Sequence, residues 1–165
     1  MIEHYLFFGR AVAIAAPAGI VIWLFANINL YGISILNHIA NFLNPFATLM
    51  GLDGYILTAF ILALPANEIV LPIILMCYMS RGTLTQIDDL VNISNILISN
   101  GWTLLTAINV MLFSLMHFPC STTLISIKKE TQNLKWTILA FIIPTLCGII
   151  TCMITNWVYN LVFNI

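Results

Sequence analysis

Two short stretches gather the side chains of this chain that could do chemistry. ALPANEIVLP, Ala63 to Pro72, sets Glu68 and the amide of Asn67 between two prolines. HFPCSTT, His117 to Thr123, sets an imidazole and a thiol, His117 and Cys120, three residues apart around Pro119. On an undistorted helix that spacing puts both groups on one face. Carboxylate, amide, imidazole and thiolate suit a transition metal of intermediate softness better than Ca²⁺ or Mg²⁺, and Fe²⁺, Mn²⁺ and Zn²⁺ all fit. Each stretch also has a purely structural reading. Glu68 can be a protonated or helix-capping carboxylate, and HFPCSTT a proline kink whose small residues let helices pack closely.

The surroundings of these groups are strongly apolar. Of the 165 residues 61% are hydrophobic and only 7% charged, with a mean hydropathy of +1.04, whereas a soluble domain carries about a quarter charged residues. Runs of 18 or more residues with almost no charge mark membrane-spanning helices. A net charge of −1 offers no basic surface, which excludes a nucleic-acid-binding reading. No GxxxxGK[ST] sequence occurs, so the chain has no P-loop for a nucleotide phosphate. Cys77, Cys120, Cys147 and Cys152 form no CxxC pair and lie in or beside apolar runs, so free thiols are expected rather than disulfides or a zinc site. Ser121 and His117 have no acid nearby in sequence to orient a base, and no enzymatic site is expected.

Four apolar runs must position the two stretches. The first, Ala11 to Leu30, reads as a retained helix, because no small-residue cleavage site closes it. Ile33 to Phe46 has Ile35, Leu36, Ile39, Phe42 and Leu43 at helical spacing with Asn37, His38, Asn41 and Asn44 on other faces, an amphipathic helix lying at the interface and ended by Pro45. His38 reads as a solvated residue of the polar face. Gly54 to Met79 carries the first stretch at its middle. Arg81 to Ser99 is polar enough to leave the hydrocarbon, with Thr85 and Asp88 forming a capping box. Trp102 to Ile127 carries the second stretch, and KKETQNLK separates it from Trp136 to Phe163. No linker or low-complexity segment divides the chain, so residues 1–165 read as one domain. The expected fold is all-α, a polytopic membrane protein with interrupted helices.

Proline inside a helix removes one N–H and frees the carbonyl four residues earlier. Pro65 frees Ile61, Pro72 frees Glu68 and Pro119 frees Leu115. In hydrocarbon such groups persist only where protein, water or a ligand satisfies them, so interrupted helices mark a lined cavity, and transporters place substrate sites at such breaks. An ionisable group at that depth costs about 2.5–3.5 kcal/mol on insertion scales and normally has a partner or a task.

The basic residues bear on how Gly54 to Met79 sits. Four crossings with Lys128, Lys129 and Lys135 in the cytoplasm leave Arg10 and Arg81 outside. A re-entrant hairpin turning at PANE returns Arg10 to the cytoplasm and agrees better with the positive-inside rule. Gly54 to Leu64 would rise about 16 Å, enough to reach mid-membrane but not to cross.

LMGLDGYILTAFILALPANEIVLPI, GWTLLTAINVMLF and HFPCSTTLISIKKETQNLKW, in that order, resemble the carboxy-terminal half of the bacterial ferrous iron transport protein B (FeoB) family. The resemblance runs from AVAIAAPAGIVIW to the last helix and implies the second of two gate-type repeats in a bacterial cytoplasmic (inner) membrane protein. It implies that Glu68 and Cys120 line the Fe²⁺ path, with Asn67 beside the former, where many members have Lys before the glutamate. It further implies that the chain binds no cofactor of its own, and that GTP belongs to a partner chain carrying a GTPase domain and the first repeat. On this basis the chain is expected to be one product of a split transporter or a fragment. The expected function is a transport subunit for ferrous iron, with His117 as a further candidate ligand and self-association also admitted. A permease for an organic solute such as a nucleoside, and a non-transporting membrane scaffold, are the alternatives.

Overall fold

Polar caps and glycines set where the helices start and stop. The computed structural model describes residues 19–21, 23–25, 27–30, 33–65, 67–79, 90–117 and 119–163. Residues 19–21, 23–25 and 27 are helical, but the first helix, expected to reach Leu30, stops before Asn29 and Leu30, which pair as a strand; its remaining residues lie outside the described residues, as does the Thr85–Asp88 capping box. A two-residue antiparallel pair, β1 (Asn29–Leu30) with β2 (Ile33–Ser34), follows. Ser34 then caps α1 (Ile35–Leu49), its Oγ accepting from the Asn37 N–H at 3.3 Å.

The helix expected to end at Pro45 runs through it to Leu49. Tertiary bonds carry it that extra turn. The Asn44 side chain accepts from Gly54 N at 3.1 Å, and the Asn156 amide donates to the carbonyls of Thr48 and Leu49 at 3.3 and 3.1 Å. Gly51, at φ +66°, then turns the chain in the left-handed region that favours glycine. Asp53 caps α2 (Gly54–Leu62) by accepting from Ile56 N at 2.7 Å. α1 and α2 are bent by 109°, the near-perpendicular geometry needed if a helix along the interface feeds an arm descending into the membrane. Phe42, Phe46 and Leu49 stay exposed on α1, and so does His38.

Gly54 to Met79 folds back on itself. After α2 the chain turns through 63–65, enters a 3-10 turn at Asn67–Ile69 and returns as α3 (Val70–Tyr78). The ends of the two arms lie together: the Tyr78 hydroxyl donates to the Asp53 carboxylate, and the Tyr55 and Tyr78 rings meet edge-on at 5.8 Å. Nine residues per arm rise about 14 Å, half of a hydrocarbon core about 30 Å thick. Trp102 Nε1 donates to the same Tyr78 hydroxyl at 2.9 Å, which ties the hairpin mouth to the start of the next span.

That span follows α4 (Leu90–Ser99) and a second left-handed glycine, Gly101 at φ +86°. α5 (Leu104–Met116), capped by Thr103, and α6 (Ser121–Thr131) together make a 28-residue apolar run, in which His117, Pro119 and Cys120 are not helical. α7 (Leu134–Phe163) is 30 residues long and continuous despite Pro144. Among the described residues these two runs are long and apolar enough to cross a membrane, and the bent α1–α2 pair would make a third. Lys128, Lys129 and Lys135 lie at the end of the span opposite Trp102, so the hairpin mouth and the basic loop are at opposite ends.

Lipid tails are as apolar as leucine, so contact between these helices depends on close packing of small residues. A Cβ on Gly54 would lie 1.9 Å from the Ala40 carbonyl oxygen, and one on Gly148 would lie 3.1 Å from the Phe113 ring. Ala47, Ala59 and Ala63 are fully buried beside Ile56, Phe60, Ile73 and Ile74. α7 by contrast turns Trp136, Ile143, Ile150, Trp157 and Leu161 outward, as a lipid-facing helix must.

Candidate functional site

The first break forms where α2 stops at Leu62 and its backbone cannot continue through Pro65. The Ile61 carbonyl that Pro65 would orphan is approached by Leu64 N at 3.4 Å. Asn67 and Glu68 follow in the 3-10 turn, at the tip of the hairpin. Glu68 is exposed, and Asn67 is half-buried with its Oδ1 buried and without a hydrogen-bond donor among the described residues.

The second break forms where α5 ends on His117, which leaves the helix with φ −73° and ψ 177°. Cys120, extended at φ −60° and ψ 159°, is the N-cap of α6. Its thiol is half-buried and lies 3.0 and 3.2 Å from the hydroxyls of Thr122 and Thr123. His117 is turned inward instead. Its ring packs on Phe60 at 5.2 Å and Phe113 at 5.8 Å, and Nδ1–H donates to the Ser114 carbonyl at 2.9 Å.

The two breaks touch. Ser121 donates to the Leu64 carbonyl twice, from its backbone N–H at 2.9 Å and from Oγ at 3.0 Å. The C-terminal end of α2 therefore meets the N-terminal end of α6, so a carbonyl left without an intrahelical partner is satisfied by the first N–H of another helix. One turn before this joint, the Phe60 ring sits edge-on to Phe113 at 4.8 Å and locks the hairpin arm to α5.

The four residues expected at the site are thus distributed around one joint. Asn67 and Glu68 follow Leu64 on the hairpin tip, Cys120 precedes Ser121 on the broken span, and His117 lies in the packed layer beneath. The shared face expected for His117 and Cys120 does not survive the break, because the two residues cap different helices. Among the described residues no group of three or more His, Cys, Asp and Glu side chains lies close enough to hold a metal ion. The four cysteines are free thiols, as expected.

Sequence reasoning missed a second polar cluster at the hairpin's base. Asn109, fully buried on α5, donates from Nδ2 to the Met50 carbonyl at 2.8 Å. With Asn156 it crowds over Gly51, where a Cβ would lie 2.6 Å from Asn109 Nδ2 and 3.1 Å from Asn156 Oδ1. The available signal was an asparagine in the apolar run GWTLLTAINV, whose amide must find partners in hydrocarbon.

Comparison with known proteins adds to this geometry. The curated Fe(2+) transporter FeoB of Staphylococcus aureus strain MSSA476 is 27% identical over 151 residues, which cover 87% of this chain and 20% of the relative. FeoB of strain COL matches with the same identity and coverage. The chain thus spans about a fifth of the length of the curated relatives it matches. No solved structure matches it. A family model described as Gate, nucleoside recognition, matches residues 8–134. With most of its length so matched, the chain belongs to the Gate family.

Proposed function

We propose that the chain is a transport subunit for ferrous iron whose path runs between the hairpin tip and the broken span. One observation carries this reading: Ser121 on the Leu64 carbonyl joins the two breaks, so the turn that bears Asn67 and Glu68 adjoins the break that bears Cys120. The buried Asn67 Oδ1 adds an acceptor suited to a cation. Oxygen and thiolate donors on two separate helix ends suit transient capture better than storage, because conduction needs sites that bind weakly enough to release. Glu68 supplies the charge that draws the cation, Asn67 a neutral oxygen and Cys120 a soft thiolate; His117 supports the span from within. The S. aureus relatives named as Fe(2+) transporters support iron as the cargo.

The chain acts with a partner that carries a GTPase domain and the first gate repeat, in the bacterial cytoplasmic membrane. The fivefold greater length of the relatives supports that partner, as does the lack of a P-loop sequence in these 165 residues. The hairpin mouth faces outward, because Lys128, Lys129 and Lys135 keep the opposite end in the cytoplasm. The test is anaerobic Fe²⁺ protection of Cys120 from alkylation, followed by peptide mass spectrometry. Protection that weakens in Glu68→Gln is expected, and alkylation indifferent to Fe²⁺ would overturn the iron path. The family description, nucleoside recognition, favours one second reading, a nucleoside-type permease. Protection of Cys120 by nucleosides and not by Fe²⁺ would select it.

A further inference from the structure

The hairpin is held unequally at its two ends. At the mouth, Asp53, Tyr78 and Trp102 form a hydrogen-bonded chain, Asn109 holds the Met50 carbonyl and Asn44 holds Gly54 N. The arm α2 is then packed to α5 as far as Phe60. Beyond Phe60, among the described residues, the hydrogen bonds that join the tip to elements outside the hairpin end on one atom, the Leu64 oxygen, and both come from Ser121. The tip itself is a turn and a single 3-10 turn, with no continuous helix to stiffen it.

We infer that Ser121 is a latch residue: its two hydrogen bonds hold the hairpin tip shut against the broken span, and their release opens the space between Glu68 and Cys120. The purpose of the opening rests on the transport reading above; the latch is a property of the joint itself. Releasing the Leu64 carbonyl inside a membrane requires another donor, so opening is coupled to the entry of water. The base, fixed by side chains on α5 and α7, does not follow, and the motion centres on the Leu64 carbonyl. Ser121 contributes one of its two bonds through its side chain, which makes that half of the latch removable by substitution.

The test compares the alkylation rates of Cys120 by a small neutral thiol reagent and by a bulky charged one, in purified protein with all native cysteines present. Peptide mass spectrometry isolates the Cys120 signal. Ser121→Ala is expected to raise the bulky-to-small rate ratio about fivefold, the population shift that loss of one ordinary hydrogen bond brings. Ser121→Gly is expected to do the same, and Ser121→Thr, which keeps a hydroxyl, to stay near the wild-type ratio. An unchanged ratio in both Ala and Gly variants would overturn the latch. So would equal acceleration of both reagents, which reports thiol reactivity instead of access. The readout contains no iron, so a raised ratio with no Fe²⁺ protection of Cys120 would keep the latch and remove the iron reading.

Discussion

Gly54→Ala tests the packing that supports the hairpin. The new Cβ would stand 1.9 Å from the Ala40 carbonyl oxygen, 2.8 Å from its carbon and 3.1 Å from Asn44 N, all backbone atoms that no rotamer change can move. An ordinary carbon–oxygen contact is about 3.3 Å, so α1 and α2 must separate by about 1.4 Å. Overpacking of this kind costs about 1–3 kcal/mol, and the displacement also breaks the bond from Gly54 N to Asn44 Oδ1, worth about 1 kcal/mol. We expect about 3 kcal/mol in all, a fall in Tm of about 6–12 °C for a chain of this size. The assay is thermal unfolding in mild detergent, followed by tryptophan fluorescence. Gly101→Ala is the comparison: nothing lies within 4 Å of its Cβ position, but φ is +86°, so the left-handed backbone alone costs about 1 kcal/mol. A Gly54→Ala protein melting no lower than Gly101→Ala would refute the close approach of α1 and α2.

Asn109→Ala leaves the Met50 carbonyl without its buried donor and should cost about 1–3 kcal/mol, read in the same melt; an unchanged Tm would remove the cluster's structural role. Cysteines introduced at Asp53 and Gly82, in a background without native thiols, should label from the same outer side of the membrane, and labelling from opposite sides would sink the hairpin topology. The purified 165-residue chain should neither bind nor hydrolyse GTP, because it contains no P-loop sequence; activity that survives removal of contaminants would contradict dependence on a partner.

The interrupted helices were legible because proline acts locally. Pro65 and Pro119 each coincide with a break, as the loss of an N–H requires. The fold-back of Gly54 to Met79 was legible from charge bookkeeping and arm length, and the bond from Tyr78 to Asp53 is its physical expression. Pro45 and Pro144 obey the same local rule, yet both sit inside helices. At Pro45 the reason is tertiary: Asn44 and Asn156 reach partners 10 and more than 100 residues away, which no local window contains. His117 illustrates the same limit. Its spacing to Cys120 suggested a shared face, whereas packing against Phe60, distant in sequence, drew the ring into the core. The bond from Ser121 to Leu64 spans 57 residues, and nothing in either motif alone announces it.

Ferrous uptake tests the iron path most directly, in cells lacking their own ferrous uptake and supplied with the partner chain. At matched expression, Glu68→Gln and Cys120→Ser should each slow uptake of Fe²⁺. The double variant should fall little below the slower single one, because residues of one path do not act additively. Wild-type rates in both single variants would contradict a path between the hairpin tip and the broken span, and would leave the chain a membrane scaffold.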